Sequence, residues 1–191
     1  IMKKKLHVFC YLVIVNFLFT INFYAQSPSV FTTSGTWVCP RGVNSISIEA
    51  WGGGAGGAST PNTNNANGGG GGGGAYAKRN LVPVVPGTTY TITVGTGGAS
   101  NSNGTASTAT FGLITITAAG GSTGTSSTTT NGNGGIGGLV SASQGDIGLV
   151  FAGGDGGNGT YQPSGNNSGS GGGGGSGGGD DDDDYDDDDD D

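Results

Sequence analysis

Carboxylates are the residues of this chain with the clearest capacity for chemistry, and they are very unevenly placed. Of 14 acidic residues, all but three stand in a C-terminal run, Asp180 to Asp184 and Asp186 to Asp191 around Tyr185. Carboxylate oxygens suit hard cations, so Asp180, Asp181, Asp182, Asp183, Asp184, Asp186 and Asp187 are candidate ligands for Ca²⁺ or a cationic or mineral surface. A run of identical residues fixes no coordination geometry, and the competing reading is a solubilising low-complexity tail. The other three acids are Glu49, Asp146 and Asp155. Nothing in the sequence brings two of them together for acid/base work, so they read as solvated surface carboxylates. Gly153-Gly154-Asp155-Gly156-Gly157-Asn158 brushes against a calcium-binding nonapeptide pattern. It has Asn where that pattern needs Asp, and it occurs once where such sites need stacked repeats.

Nucleophilic catalysis finds less support still. The single histidine, His7, lies in an N-terminal stretch that reads as a removable leader, which leaves no Ser/His or Cys/His pair behind it. No Gly-Lys-Ser/Thr follows any of the glycine runs, so they are not phosphate loops. The expectation is a non-enzymatic protein without a cofactor, apart from Ca²⁺ on the tail. Beyond the leader the basic residues are Arg41, Lys78 and Arg79 only, too few for a nucleic-acid surface.

The leader runs over residues 1–25: Lys3 to Lys5, an apolar run from Leu6 to about Phe19, and the small Ala25 before Gln26. Its removal predicts a secreted or cell-surface protein with no membrane span. Cys10 leaves with it, so Cys39 is alone and predicted to be buried. The rest divides into a glycine-rich β domain over 26–160, a Gly/Ser-rich linker over 161–179 and the aspartate tail over 180–191.

Glycine supplies 45 of the 191 residues, which by composition alone points to low complexity. The apolar residues nevertheless cluster in short alternating runs. In Ser45 to Trp51, Ile46, Ile48 and Ala50 share one face; in Thr89 to Val94, Tyr90, Ile92 and Val94 do; in Leu113 to Ala118, Ile114, Ile116 and Ala118 do. Val30 to Thr33, Thr36 to Cys39, Ala75 to Val82, Ala109 to Phe111 and Gly148 to Ala152 read as further strands. The other face of Thr89 to Val94 carries Thr89, Thr91 and Thr93, a pattern an ice-binding face would use and ordinary solvent-facing strands also use. No sustained helical period occurs outside the leader.

Between strands the chain becomes nearly bare backbone. Gly-Gly-X-Gly-Gly recurs at Gly53 to Gly57, Gly134 to Gly138 and Gly153 to Gly157, each beside an apolar run. A polyproline II type helix has three residues per turn and no internal hydrogen bonds, so glycine at fixed positions lets such helices approach within backbone contact. These three segments are expected to pack side by side as a polyglycine II sandwich, each anchored by its adjacent apolar run, Gly53 to Gly57 by Ile46, Ile48 and Trp51; the competing reading is a flexible Gly/Ser linker. The fold class is therefore all-β: a small antiparallel, sandwich-like β framework with packed polyproline II type segments and a disordered acidic tail.

The ordered set Phe31 to Pro40, Glu49-Ala50-Trp51-Gly52-Gly53-Gly54, Gly74-Ala75-Tyr76, Pro86-Gly87-Thr88-Thr89-Tyr90 into Thr91 to Gly95, and Thr110-Phe111-Gly112 resembles the glycine-rich domain of secreted bacterial surface proteins and phage tail-fibre adhesins. Relatives often carry a second cysteine where Ala50 stands, so no disulfide with Cys39 is available. The resemblance implies variable loops that contact receptors, here Ser59 to Asn67, Ser122 to Asn133 and Tyr161 to Ser168. Candidate ligand residues on them are Asn62, Asn64, Asn65, Asn131, Tyr161, Gln162, Asn166 and Asn167. Asn and Tyr side chains hydrogen-bond or stack on sugars at low ordering cost, which makes glycans the expected partner. The alternative is self-association through sheet edges and glycine faces into an extracellular filament or matrix, with the tail binding cations or mineral.

Overall fold

The structure, a computed structural model, describes residues 28–60 and 66–161. By internal contacts the chain divides after Val30, and the unit that begins at Phe31 carries every strand of the described residues. These are β1 (Gly35–Val38), β2 (Ser45–Trp51), β3 (Asn67–Gly68), β4 (Tyr76–Pro83), β5 (Thr89–Thr93), β6 (Ser107–Phe111), β7 (Ile114–Ala118), β8 (Ser126–Ser127) and β9 (Val150–Phe151). Four of them form an antiparallel sheet in the order β1-β5-β6-β7, three form a second in the order β2-β4-β9, and β3 pairs with β8. Among the described residues there is no α-helix, only a 3₁₀ turn at Val140–Ala142. The expected first strand at Val30 to Thr33 does not form. β1, just after it, occupies the edge of β5 that such a strand would need.

Alternation decides which faces meet. Ile46, Ile48 and Ala50 of β2 turn inward, as their spacing requires, and the outward Glu49 stands opposite Lys78 of β4 with an ion pair of 3.2 Å. Their register slips between Ile46 and Ile48, and Leu81, exposed and at φ 53°, takes up the extra residue. Against this sheet lies the inner face of the other, which supplies Tyr90, Ala109, Phe111, Ile116 and Ala118. Trp37, Tyr90 and Phe111 form an aromatic cluster whose closest pair has ring centroids 4.8 Å apart. Cys39 is buried beside them in the core, its thiol donating to the Val43 carbonyl.

Beyond the sheets the chain continues as a bundle of extended glycine-rich segments. Its period is read from the hydrogen bonds, which recur at every third residue. The N–H groups of Gly52, Ala55 and Ala58 donate to the carbonyls of Ala75, Gly72 and Gly69, and those of Gly69, Gly72 and Ala75 donate in turn to Thr125, Ser122 and Ala119. This is the threefold repeat of a polyproline II type helix, whose backbone groups can only be satisfied by its neighbours. The three Gly-Gly-X-Gly-Gly segments do not lie simply side by side. The hub is the unbroken run Gly68 to Gly74, buried along its whole length. Segments 52–58, 119–125, 132–138 and 153–159 each hydrogen-bond to it.

Segment 132–138 also pairs with 153–159, through Gly153 to Gly138 and Gly156 to Gly135, whereas 52–58 pairs with 102–105 and accepts from Gly98 and Asn101. The stretch from Gly95 to Gly104 therefore belongs to the bundle. Glycine serves this packing by lacking a side chain. Only Gly42, Gly87, Gly112 and Gly148 among the described glycines adopt positive φ, and none is in the bundle. A Cβ on Gly134 would stand 1.7 Å from the Gly156 carbonyl oxygen, and one on Gly69 1.8 Å from that of Asn133. X positions escape this crowding: Asn133, Ile136 and Leu139 follow one another at the three-residue period, and all are exposed.

A row of aromatics stands at the seam between sheet and bundle. Trp51, Tyr76 and Phe151 are direct partners across β2, β4 and β9, with centroids 5.1 and 6.0 Å apart. Each touches a glycine segment in sequence: Gly52 follows Trp51, Ala75 precedes Tyr76 and Ala152 follows Phe151. Trp51 thus packs as expected, although it is half exposed.

Candidate functional site

The direction of each bundle segment determines where its loops emerge. Segments 52–58, 119–125 and 153–159 run away from the two larger sheets and 68–75, 102–105 and 132–138 run back, since the hydrogen bonds between the two sets are antiparallel and those of 132–138 with the hub are parallel. The turns at 99–102 and 126–131, the chain at 59–60 and 66–67, and residues 160–161 therefore share the end of the bundle far from the two larger sheets. Hydrogen bonds tie them together. The Ser59 N–H donates to Asn101 Oδ1 at 2.7 Å, and the Tyr161 N–H to Asn131 Oδ1 at 2.8 Å. Asn67, only 1% exposed, donates through Nδ2 to the carbonyls of Ser127 and Thr130 at 3.1 and 3.0 Å. Its Oδ1 accepts from the N–H of Gly132.

Of the candidate ligand residues, the structure brings Asn131 and Tyr161 into direct contact at this end. Asn62, Asn64, Asn65, Gln162, Asn166 and Asn167 lie outside the described residues, as do the tail aspartates Asp180 to Asp187 proposed for Ca²⁺. Two expected contact loops are shorter than the sequence implied. Asn67 is a buried pin, and residues 122–125 and 132–133 are bundle segments, because their backbone groups are needed to satisfy the hub. What protrudes between them is 126–131, which is braced internally by Ser127 Oγ accepting from the N–H groups of Thr129 and Thr130.

The body carboxylates are structural rather than simply solvated. Asp146 Oδ2 accepts from the Asn80 N–H at 2.7 Å while Oδ1 lies 3.8 Å from Arg79 Nε, so the carboxylate steadies the bulge in β4. Asp155 Oδ1 accepts from the Gly137 N–H at 2.8 Å, and three residues on Asn158 Oδ1 accepts from that of Gly134 at 2.7 Å. The calcium-like spelling at 153–158 is thus a pair of side-chain acceptors at the three-residue period, each meeting a bundle N–H that faces no carbonyl. Among the described residues no three His, Cys, Asp or Glu side chains converge as a metal site would require. Gly137 is buried, so Asp155→Ala should cost about 1–3 kcal/mol by stranding its N–H. Asp155→Asn keeps an acceptor and should melt close to the parent, and Ca²⁺ should leave both melting curves in place. A Ca²⁺-dependent rise in the parent's melting temperature that Asp155→Ala removes would contradict this assignment.

One cleft of about 770 Å³ opens at the sheet end. The Arg79–Asp146 pair, Ile114 of β7, Val140 and Val150 line it, with the fully exposed Leu113 and Ile147 at its rim. Sequence reasoning did not point to it, since its walls come from three separate stretches. The ion pair offers it charge, and Thr115 and Ser143 add hydroxyls to its wall.

An antiparallel β-sandwich continued by a hydrogen-bonded glycine bundle, with its turns gathered at the far end, defines a class of glycine-rich scaffold. The chain belongs to the glycine-rich domain family, whose model matches residues 29–189. No curated protein matches it significantly.

Proposed function

We propose that this is a secreted, non-enzymatic surface module that uses the loop end of its glycine bundle for adhesion to, or recognition of, a surface glycan. The observation that carries this reading is the convergence of residues 59–60, 66–67, 99–102, 126–131 and 160–161 at one end, cross-tied through Asn101, Asn67 and Asn131. A scaffold whose backbone groups are fixed by neighbouring segments presents its loops with little ordering cost on binding. Export is supported by the basic and apolar leader over residues 1–25. The mature chain on a glycan array and on cell-surface polysaccharide should bind a restricted set of glycans. Asn131→Ala combined with Tyr161→Ala should weaken that binding while leaving the melting curve nearly unchanged. A folded parent that binds no glycan and no cell above an inert control would overturn the reading.

A second reading, self-assembly, is favoured by the exposed Ile136, Leu139, Val140, Leu113 and Ile147. Electron microscopy of the purified chain separates the two, filaments supporting assembly.

A further inference from the structure

Strand register turns the threonines of the four-stranded sheet into a two-dimensional array. On the face turned away from the core, Thr117 stands opposite Thr108 and Thr108 opposite Thr93, making one row across β7, β6 and β5. In the next row Thr115 faces Thr110 and Thr91 faces Thr36, and the β5/β6 register joins these two pairs. Val38 opposite Thr89 completes the face. The inward partners of these residues, Trp37, Tyr90, Ile92, Ala109 and Ile116, all pack in the core, which fixes the outward direction of the array. Every outward position but Val38 is threonine, and none is charged.

Such a face has unusual chemistry for a solvated sheet. Each threonine offers a methyl and a hydroxyl on a stiff β-branched side chain, so both groups are held in place. The Thr110 and Thr115 hydroxyls already lie 3.1 Å apart across the strands. Neighbouring strands repeat at about 4.8 Å and alternate residues along a strand at about 6.7 Å. Both repeats are near those of the oxygens on faces of crystalline ice. Ordered waters bridging fixed polar groups cost little further entropy to immobilise, and the nearest charges, the Arg79–Asp146 pair in the cleft that Thr115 lines, lie beyond the β7 edge of the array.

We infer that the outer face of the β1-β5-β6-β7 sheet is an ice-binding surface, on which registered threonine hydroxyls and methyls hold water in an ice-like lattice that merges with the crystal. The bundle supplies an independent observation. Hydrophobic stabilisation weakens on cooling, whereas the glycine segments are held chiefly by backbone hydrogen bonds, so the bundle leans little on the contribution that cold removes.

The test uses the mature full chain in ice-affinity partitioning and ice-recrystallisation assays. The parent should concentrate in the ice fraction and keep crystals small. Thr91→Lys and Thr110→Lys, at exposed positions in the middle of the array, should lose both effects while melting as the parent does. Thr129→Lys, on the exposed 126–131 loop, should retain them. Thr91→Val with Thr110→Val keeps the methyls and the fold and should retain part of the activity. A folded parent excluded from ice like a carrier protein would overturn the inference. Ice activity that survives Thr91→Lys and Thr110→Lys together, or a dimer that those substitutions dissolve, would equally overturn it.

Discussion

Replacing Gly56 by alanine should destabilise the protein by about 3 kcal/mol or more, while the same change at Gly54, two residues away, should leave it as stable as the parent or slightly more so. The contrast follows from the threefold period. A Cβ on Gly56 would lie 1.9 Å from the Ala99 carbonyl oxygen and 3.0 Å from that of Gly98, so segments 52–58 and 95–101 would have to separate. Separation breaks the bonds that Gly54 and Gly57 accept from Gly98 and Asn101, and leaves their partners unsatisfied. At Gly54 the nearest atom is 3.7 Å away, ordinary contact, and φ is not positive. Alanine there only narrows the unfolded ensemble, which stabilises by roughly 0.4–1 kcal/mol. Gly71 in the hub, whose Cβ would meet the Ala55 oxygen at 2.2 Å, should be less tolerant than Gly56, because the hub has neighbours to several sides and no direction in which to yield. Thermal unfolding of the three alanine variants checks the pattern. A flexible glycine linker would show three equal and small shifts, and that result would remove the bundle.

How much of this was legible in the sequence depends on which periods survive in a one-dimensional string. Strands announce themselves by alternation, and Ile46-Ser47-Ile48-Glu49-Ala50 folds as that alternation requires. Gly-Gly-X-Gly-Gly announces a three-residue period because its X marks the outward edge, as Ile136 and Leu139 do. The hub carries no X at all. Gly68 to Gly74 is enclosed, so every position must be bare, and the pattern that identifies its neighbours vanishes where the packing is densest. Asp155 was concealed by a spelling that suggests calcium, since sequence cannot distinguish an acceptor aimed at a backbone N–H from one aimed at an ion. Thr89, Thr91 and Thr93 were visible on one strand, but the array they belong to exists only once register places β1, β6 and β7 beside them. Within the loop end, nothing in an Asn/Thr-rich stretch marks Asn67 as a residue that will be buried.

Of the two buried polar side chains among the described residues, Asn67 is the more enclosed and makes the more hydrogen bonds within its site. Asn67→Ala should cost about 3 kcal/mol and lower the melting temperature by roughly 10 °C, because it removes one acceptor and two donors from a site closed to water. The Gly132 N–H loses its acceptor and the Ser127 and Thr130 carbonyls lose the Asn67 amide nitrogen, so only the backbone pairing of β3 with β8 still ties the start of the hub to the 126–131 loop. Asn67→Asp is the sharper probe, since it keeps the shape and the acceptor for Gly132 but turns a carboxylate oxygen toward two carbonyls. At neutral pH it should be at least as damaging as alanine. Burial against carbonyls favours the protonated form, so the folded state binds a proton more readily than the unfolded chain and stability must rise as pH falls. Asn67→Asp should therefore regain stability on acidification relative to the parent, whereas Asn67→Ala should not. If both variants melt with the parent at every pH, the loop end is not organised through Asn67, and the convergence of loops on which the recognition reading rests would lose its main tie.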